Sequence, residues 1–120
     1  MIGIDLLKTE RMKHSIERFK DKFLQRFLSS QEILLVKNSN TAAGFWAAKE
    51  ACSKALGCGI GKECGFHDII ISKTQRGAPE ITLSQHLLIK YQVQDISLSI
   101  THDGEYAIAV VAIEGKKSLS

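Results

Sequence analysis

Thr41-Ala42-Ala43-Gly44-Phe45-Trp46-Ala47-Ala48-Lys49-Glu50-Ala51-Cys52-Ser53-Lys54-Ala55-Leu56-Gly57 is rich in alanine and apolar over most of the surface a helix would present. A helix over Ala42–Leu56 therefore belongs in the interior, with other elements packed around it. Thr41 is placed to cap its start and Gly57 to stop it. Upstream, Ile2, Ile4 and Leu6 alternate with Gly3 and Asp5, which predicts a short strand with Asp5 on the face opposite the isoleucines. Met12, Ile16, Phe19, Phe23 and Phe27 follow at spacings of three and four, the apolar stripe of one amphipathic helix. Ser29 with Glu32 fits a capping box opening another helix, and Lys37–Asn40 is a polar break.

Downstream, Asp68–Lys73 and Glu80–Leu83 read as short strands about a turn at Arg76-Gly77-Ala78-Pro79. Ser84 opens a short helix through Tyr91. Asp95–Thr101 alternates apolar and polar residues, Asp103-Gly104 is a two-residue hairpin signal, and Tyr106–Ile113 returns antiparallel. The tail from Gly115 is polar and expected to fray. The class is α+β, a small antiparallel sheet packed on a long apolar central helix.

The length of 120 residues, 44% of them hydrophobic, suits a single domain over residues 1–120. The longest near-apolar run, Tyr106–Ile113, falls short of the roughly 20 residues that span a bilayer. The start MIGIDLLK has no basic region before its apolar stretch, unlike a secretory signal. A soluble cytoplasmic protein is expected, with no membrane partner. Cys52, Cys58 and Cys64 are odd in number and form no Cys-x-x-Cys pair, which favours reduced, partly buried thiols over a structural zinc site.

The net charge of +3 is unevenly placed. Residues 1–40 hold eight basic and five acidic side chains, and residues 41–120 hold eight of each. Arg11, Lys13, Arg18, Lys20, Lys22 and Arg26 crowd one segment against Glu17 and Asp21. Such a patch attracts an acidic partner, although an ordinary solvated helix face has the same composition.

Two carboxylates stand out. Glu50 lies mid-helix in an apolar segment, where a lone buried charge needs a partner or a metal. An i,i+4 ion pair with Lys54 is the plain alternative. Asp5 lies inside an apolar strand, or at a strand end facing water. If the two converge they form a hard oxygen site, which suits Mg²⁺ completed by water and phosphate oxygens. Gly57-Cys58-Gly59-Ile60-Gly61-Lys62 follows a helix instead of opening one, so it reads as a C-cap and loop, not a Walker-type phosphate loop. His102 ends a strand before a tight turn.

Three stretches together resemble the holo-[acyl-carrier-protein] synthases, the small bacterial type of 4'-phosphopantetheinyl transferase. They are Gly3-Ile4-Asp5 with Arg11, then Trp46-Ala47-Ala48-Lys49-Glu50-Ala51 through Lys54-Ala55-Leu56-Gly57 and Gly59-Ile60-Gly61, and Ser99-Ile100-Thr101-His102 with Tyr106-Ala107. Asp68-Ile69 and Gly77-Ala78-Pro79 fit between them, so the resemblance runs from residue 2 to about residue 114 in the family's order.

The resemblance implies transfer of phosphopantetheine from coenzyme A to a serine of apo acyl carrier protein, with release of adenosine 3',5'-bisphosphate, in the service of fatty acid biosynthesis. It implies Mg²⁺ held by Asp5 and Glu50, with Lys54 and His102 as further catalytic residues. It places Trp46, Lys49, Lys54, Gly57 and His102 against coenzyme A. It docks the acidic carrier protein on Arg11, Arg18, Lys22 and Arg26, and it implies a homotrimer with active sites between subunits. Three departures stand: Lys8 where the family usually has an acid, Phe45 where an arginine is common, and Cys58 in place of a threonine. A basic nucleic-acid-binding domain is the competing reading. It leaves Glu50 unexplained and interleaves no aromatic platform with its basic residues. A second competitor is a non-catalytic coenzyme A-binding scaffold.

Overall fold

The structure is a computed structural model that describes residues 1–116. The chain runs β1 (Ile2–Lys8), α1 (Thr9–Phe19), α2 (Asp21–Phe27), α3 (Ser30–Ile33), α4 (Ser39–Leu56), a 3-10 turn at Phe66–Asp68, β2 (Ile69–Lys73), β3 (Pro79–Leu83), α5 (Gln85–Lys90), β4 (Asp95–Asp103) and β5 (Tyr106–Glu114). Two antiparallel sheets form, a three-stranded one in the order β1-β5-β4 and a two-stranded one from β2 and β3. The architecture is α+β, as expected.

Helix α4 lies across the inner face of the larger sheet, and twelve of its residues are buried. The approach is close enough to dictate sequence. A Cβ on Gly3 would overlap the Ala51 carbonyl oxygen and stand 2.6 Å from the Ala55 amide nitrogen. The alanine face of α4 and the missing side chain at Gly3 thus let helix and strand meet backbone to backbone. This turns β1 so that Gly3 and Asp5 face the helix. Ile2, Ile4 and Leu6 look outward, 75%, 58% and 57% exposed, alongside exposed Val110 of β5, which pairs with Ile4.

Several boundaries differ from expectation. The apolar stripe of residues 12–27 is not one helix. Lys20, at φ 55° and ψ −140°, breaks it into α1 and α2. Asn38, not Thr41, caps α4: its Oδ1 accepts from the Thr41 amide at 3.0 Å, three residues before the expected start. Gly57 ends the helix in the left-handed region at φ 86°, which glycine adopts without a Cβ penalty. The hairpin between β4 and β5 closes on Asp103 and Tyr106, so its loop is Gly104-Glu105 rather than Asp103-Gly104. Only Gly104 of the two has positive φ, the pattern of a type II′ turn. The Ser29–Glu32 capping box is present, with both reciprocal bonds formed. Gly115 and Lys116 do not fray, since the Lys116 amide donates to Tyr91 O at 2.7 Å, and the tail beyond lies outside the described residues.

Candidate active site

Asp5 and Glu50 lie on the two elements that face each other where β1 crosses α4. Strand alternation points Asp5 at the helix, and Lys54 Nζ reaches across to it, donating to Asp5 Oδ1 at 2.8 Å and to Ile4 O at 3.2 Å. Glu50 stands one helical turn before Lys54, on the same side of α4. Its carboxyl is held above the ordinary carboxylate range, first by burial and then by the negative charge of Asp5, with Lys54 acting in the opposite sense. The repulsion from Asp5 is the electrostatic mark of two carboxylates sharing one locality. One ammonium stands beside two carboxylates, so the cluster keeps a net negative charge. The plain pairing of Glu50 with Lys54 does not describe it, because Lys54 forms its ion pair with Asp5.

The donor set is made of hard oxygens. Mg²⁺ takes one or two protein carboxylates and fills its remaining positions with water and phosphate oxygens, and the pair at residues 5 and 50 fits that demand. Among the described residues, no group of three or more metal-binding side chains gathers anywhere.

Lys49 is somewhere else. Its side chain is 0% exposed, and its Nζ donates to Phe27 O at 2.7 Å, Glu32 Oε1 at 2.9 Å and Phe66 O at 3.0 Å. An amine so enclosed has no face left for a phosphate, which removes Lys49 from the coenzyme A contacts. Glu32 completes the arrangement: Oε1 also accepts from the Ser29 amide at 2.8 Å, and Oε2 accepts from the Ile71 amide at 2.7 Å. The capping box of α3 is thereby tied to α4 and β2 by one buried carboxylate. Only the capping half of that role is visible in the sequence.

Trp46 is half-buried in an aromatic group. Phe23 stacks on it at 6.1 Å between centroids, Phe27 meets it edge-on at 5.0 Å, and Phe66 lies at 4.7 Å. It also lines a cavity of about 170 Å³ with Leu7, Arg11, Met12, Ser15 and Phe23, next to the basic helices. His102 sits at the other end of α4. Its Nε2 is 2.9 Å from Asn40 O, and a Cβ on Gly44 would stand 3.3 Å from the same nitrogen. Ten residues of helix separate Gly44 from Lys54, about 15 Å. One chain therefore assembles Asp5, Glu50 and Lys54, and leaves His102 apart from them. The Gly57 amide is engaged in closing the helix, donating to Lys54 O and Ser53 O. The three cysteines are free thiols. Burial pushes Cys52 and Cys64 up to about 12, which leaves both poor nucleophiles.

Comparison with known proteins places this arrangement. Residues 1–111 match the 4'-phosphopantetheinyl transferase superfamily. The chain belongs to that family. It is similar to the holo-[acyl-carrier-protein] synthase of Sulfurimonas denitrificans, at 67% identity over 114 residues, covering 95% of this chain and 94% of the relative. Among solved structures it is similar to the Helicobacter pylori holo-[acyl-carrier-protein] synthase in complex with coenzyme A, with a TM-score of 0.92 and 52% identity over 95% of this chain and 100% of that one. It also resembles the Bacillus anthracis enzyme, with a TM-score of 0.77 and 37% identity over 96% of each chain. The chain is an enzyme of the holo-[acyl-carrier-protein] synthase group. Among the described residues no helix is long and apolar enough to cross a membrane.

Proposed function

We propose that this chain is a single phosphopantetheinyl transferase domain that moves 4'-phosphopantetheine from coenzyme A to a serine of apo acyl carrier protein. The bond formed joins the serine oxygen to the phosphorus bearing pantetheine. The bond broken is that phosphorus to the bridging oxygen, which leaves with adenosine 3',5'-bisphosphate. The serine proton passes to solvent or a base. The observation that carries this reading is the Lys54 bridge from α4 to Asp5 of β1, with Glu50 one helical turn away on the same side of α4.

Phosphoryl transfer asks a protein for positioning and charge stabilisation more than covalent chemistry. Asp5 and Glu50 would hold Mg²⁺, which would draw charge from the diphosphate and stabilise the leaving phosphate. Lys54 offsets part of the carboxylate charge and is half-exposed, so its ammonium is also available to a phosphate oxygen. Trp46, Gly57 and His102 line coenzyme A in this proposal. The distance between His102 and Lys54 along α4 supports sites built between subunits of a trimer, and the exposed apolar residues Ile2, Ile4, Leu6 and Val110 supply a surface for subunit contact. Arg11, Arg18, Lys22 and Arg26, all exposed on α1 and α2, dock the acidic carrier protein. Placement in the cytoplasm and in fatty acid biosynthesis follows from that substrate.

The test is mass spectrometry of apo acyl carrier protein incubated with coenzyme A and Mg²⁺. The expected gain is one phosphopantetheine on one serine, lost on adding a chelator and in Asp5→Ala and Glu50→Ala proteins that remain folded. Turnover like the wild type in both variants overturns the assignment.

A further inference from the structure

We infer that Phe19 is an aromatic anchor for the carrier protein, exposed on the basic surface of α1 and α2 with two arginines against its ring. The inference rests on the proposed function and adds to it a residue for which sequence periodicity predicts a place in the core.

Phe19 ends α1, and the turn at Lys20 lifts it out of the apolar stripe. Phe23 and Phe27, the next members of that stripe, pack inward on Trp46, whereas Phe19 is 43% exposed. Lys20 holds its positive φ without being glycine, a strained backbone state that persists only where the surroundings impose it. A straight helix would avoid that strain and give residue 19 a different outlook.

Two cations from different helices lie against the ring. The Arg18 guanidinium carbon of α1 lies 5.1 Å from the ring centroid and that of Arg26 of α2 lies 5.8 Å from it. Among the described residues, neither arginine makes an ion pair within 4.0 Å. A guanidinium over an aromatic ring uses its face and keeps its N–H edges for a carboxylate. Residues 9–27 carry six basic side chains against Glu10, Glu17 and Asp21. The surface thus presents one exposed apolar ring with two guanidinium groups beside it inside a field of positive charge. The matching partner is an acidic helix with an apolar side chain between carboxylates. The charges steer the encounter, and the exposed aromatic beside them supplies the short-range hold, aromatic and arginine side chains being the residue types that dominate interface hot spots.

Steady-state kinetics with apo acyl carrier protein at saturating coenzyme A test this. Phe19→Ala is expected to raise the carrier KM about tenfold, with kcat and the coenzyme A KM within twofold of wild type, while Phe19→Trp stays near wild type. The salt dependence of the carrier KM should persist in Phe19→Ala and flatten in an Arg18→Gln/Arg26→Gln protein. An unchanged carrier KM in Phe19→Ala overturns the inference. So does a fall in melting temperature large enough to account for the loss, which would make Phe19 a packing residue. A smaller sedimentation mass overturns it too, by assigning the ring to a second copy of the chain. Absence of any transfer by the wild-type protein refutes the proposed function instead, so the two failures are distinguishable.

Discussion

Replacing Lys49 with methionine separates two roles that one side chain cannot combine. If Lys49 is a core residue, Lys49→Met keeps most of the buried hydrocarbon volume and deletes an ammonium with three acceptors at 2.7, 2.9 and 3.0 Å. What remains is a carboxylate, Glu32, that is 3% exposed and keeps two backbone amide donors, together with the carbonyls of Phe27 and Phe66 short of a donor. Removing one partner of a buried pair costs about 3–5 kcal/mol. The two amides still facing Glu32 place the expected value near the lower end, about 3 kcal/mol. At a urea m-value of about 2 kcal/mol/M, the midpoint falls by about 1.5 M. Pairing the change with Glu32→Gln removes the stranded charge and should recover part of the loss, giving a coupling energy of about 1–3 kcal/mol in a double-mutant cycle. Urea unfolding followed by circular dichroism measures the midpoints, and calorimetric titration of the folded protein measures coenzyme A affinity, expected to be unchanged. An unaltered midpoint together with lost coenzyme A affinity would show that Lys49 faces the ligand and that the buried arrangement is wrong.

Glu50→Gln should stabilise the protein while abolishing Mg²⁺-dependent transfer. The folded carboxyl titrates above the ordinary 4.5 because of burial and then Asp5, so the fold holds its proton more readily than the unfolded chain. Stability therefore falls as pH rises through the folded value, and urea midpoints across pH 4 to 8 should lose that slope in the variant. Gly3→Ala forces a Cβ into the α4 backbone and should cost about 3 kcal/mol or prevent folding, read from the thermal melt. A melt like the wild type would show that strand and helix do not touch there. Carrier protein affinity should weaken between low and high salt because α1 and α2 contribute exposed charges screened within about 10 Å at 0.1 M, and surface plasmon resonance at several salt concentrations measures the slope.

The parts of the fold legible in the sequence are those where one local rule acts unopposed. Ser29 and Glu32 close a capping box because the two groups lie three residues apart and need only each other. Alternation in β4 and β5 reads directly as a hairpin, and its loop shifts by one residue because glycine is needed at the first central position. The stripe from Met12 to Phe27 misleads for a different reason. Spacing fixes which residues share a face of an unbroken helix, yet no glycine or proline marks the break at Lys20. In β1 the alternation separates Asp5 from the isoleucines, as the structure has it, and leaves open which face is inward. Its isoleucines alternate as core residues do, but the side they occupy is decided by Gly3, the one position where the Ala51 backbone can approach. A period of two names two faces without saying which is inward.

The two lysines of α4 show how a single spacing divides structure from chemistry. Residues 49 and 54 are five apart, so they diverge by about 140° around the helix axis. One direction leads into the layer between α3 and β2, where Glu32 lies, and the other leads to β1, where Asp5 lies. Each lysine ends on a carboxylate, but only one pair faces solvent. In the buried pair every hydrogen-bonding group of Lys49 and Glu32 is engaged within the protein, so it fixes the packing of α4 and leaves nothing for a ligand. In the other, Lys54 is half-exposed and Glu50 adds a second carboxylate that the fold holds at an electrostatic disadvantage. A cluster with unbalanced charge and open coordination is one that a cation and a diphosphate can complete. The same motif read only as a string offers Lys49 and Lys54 as equals; the angle between them buries one in the core and leaves the other half-exposed beside Asp5.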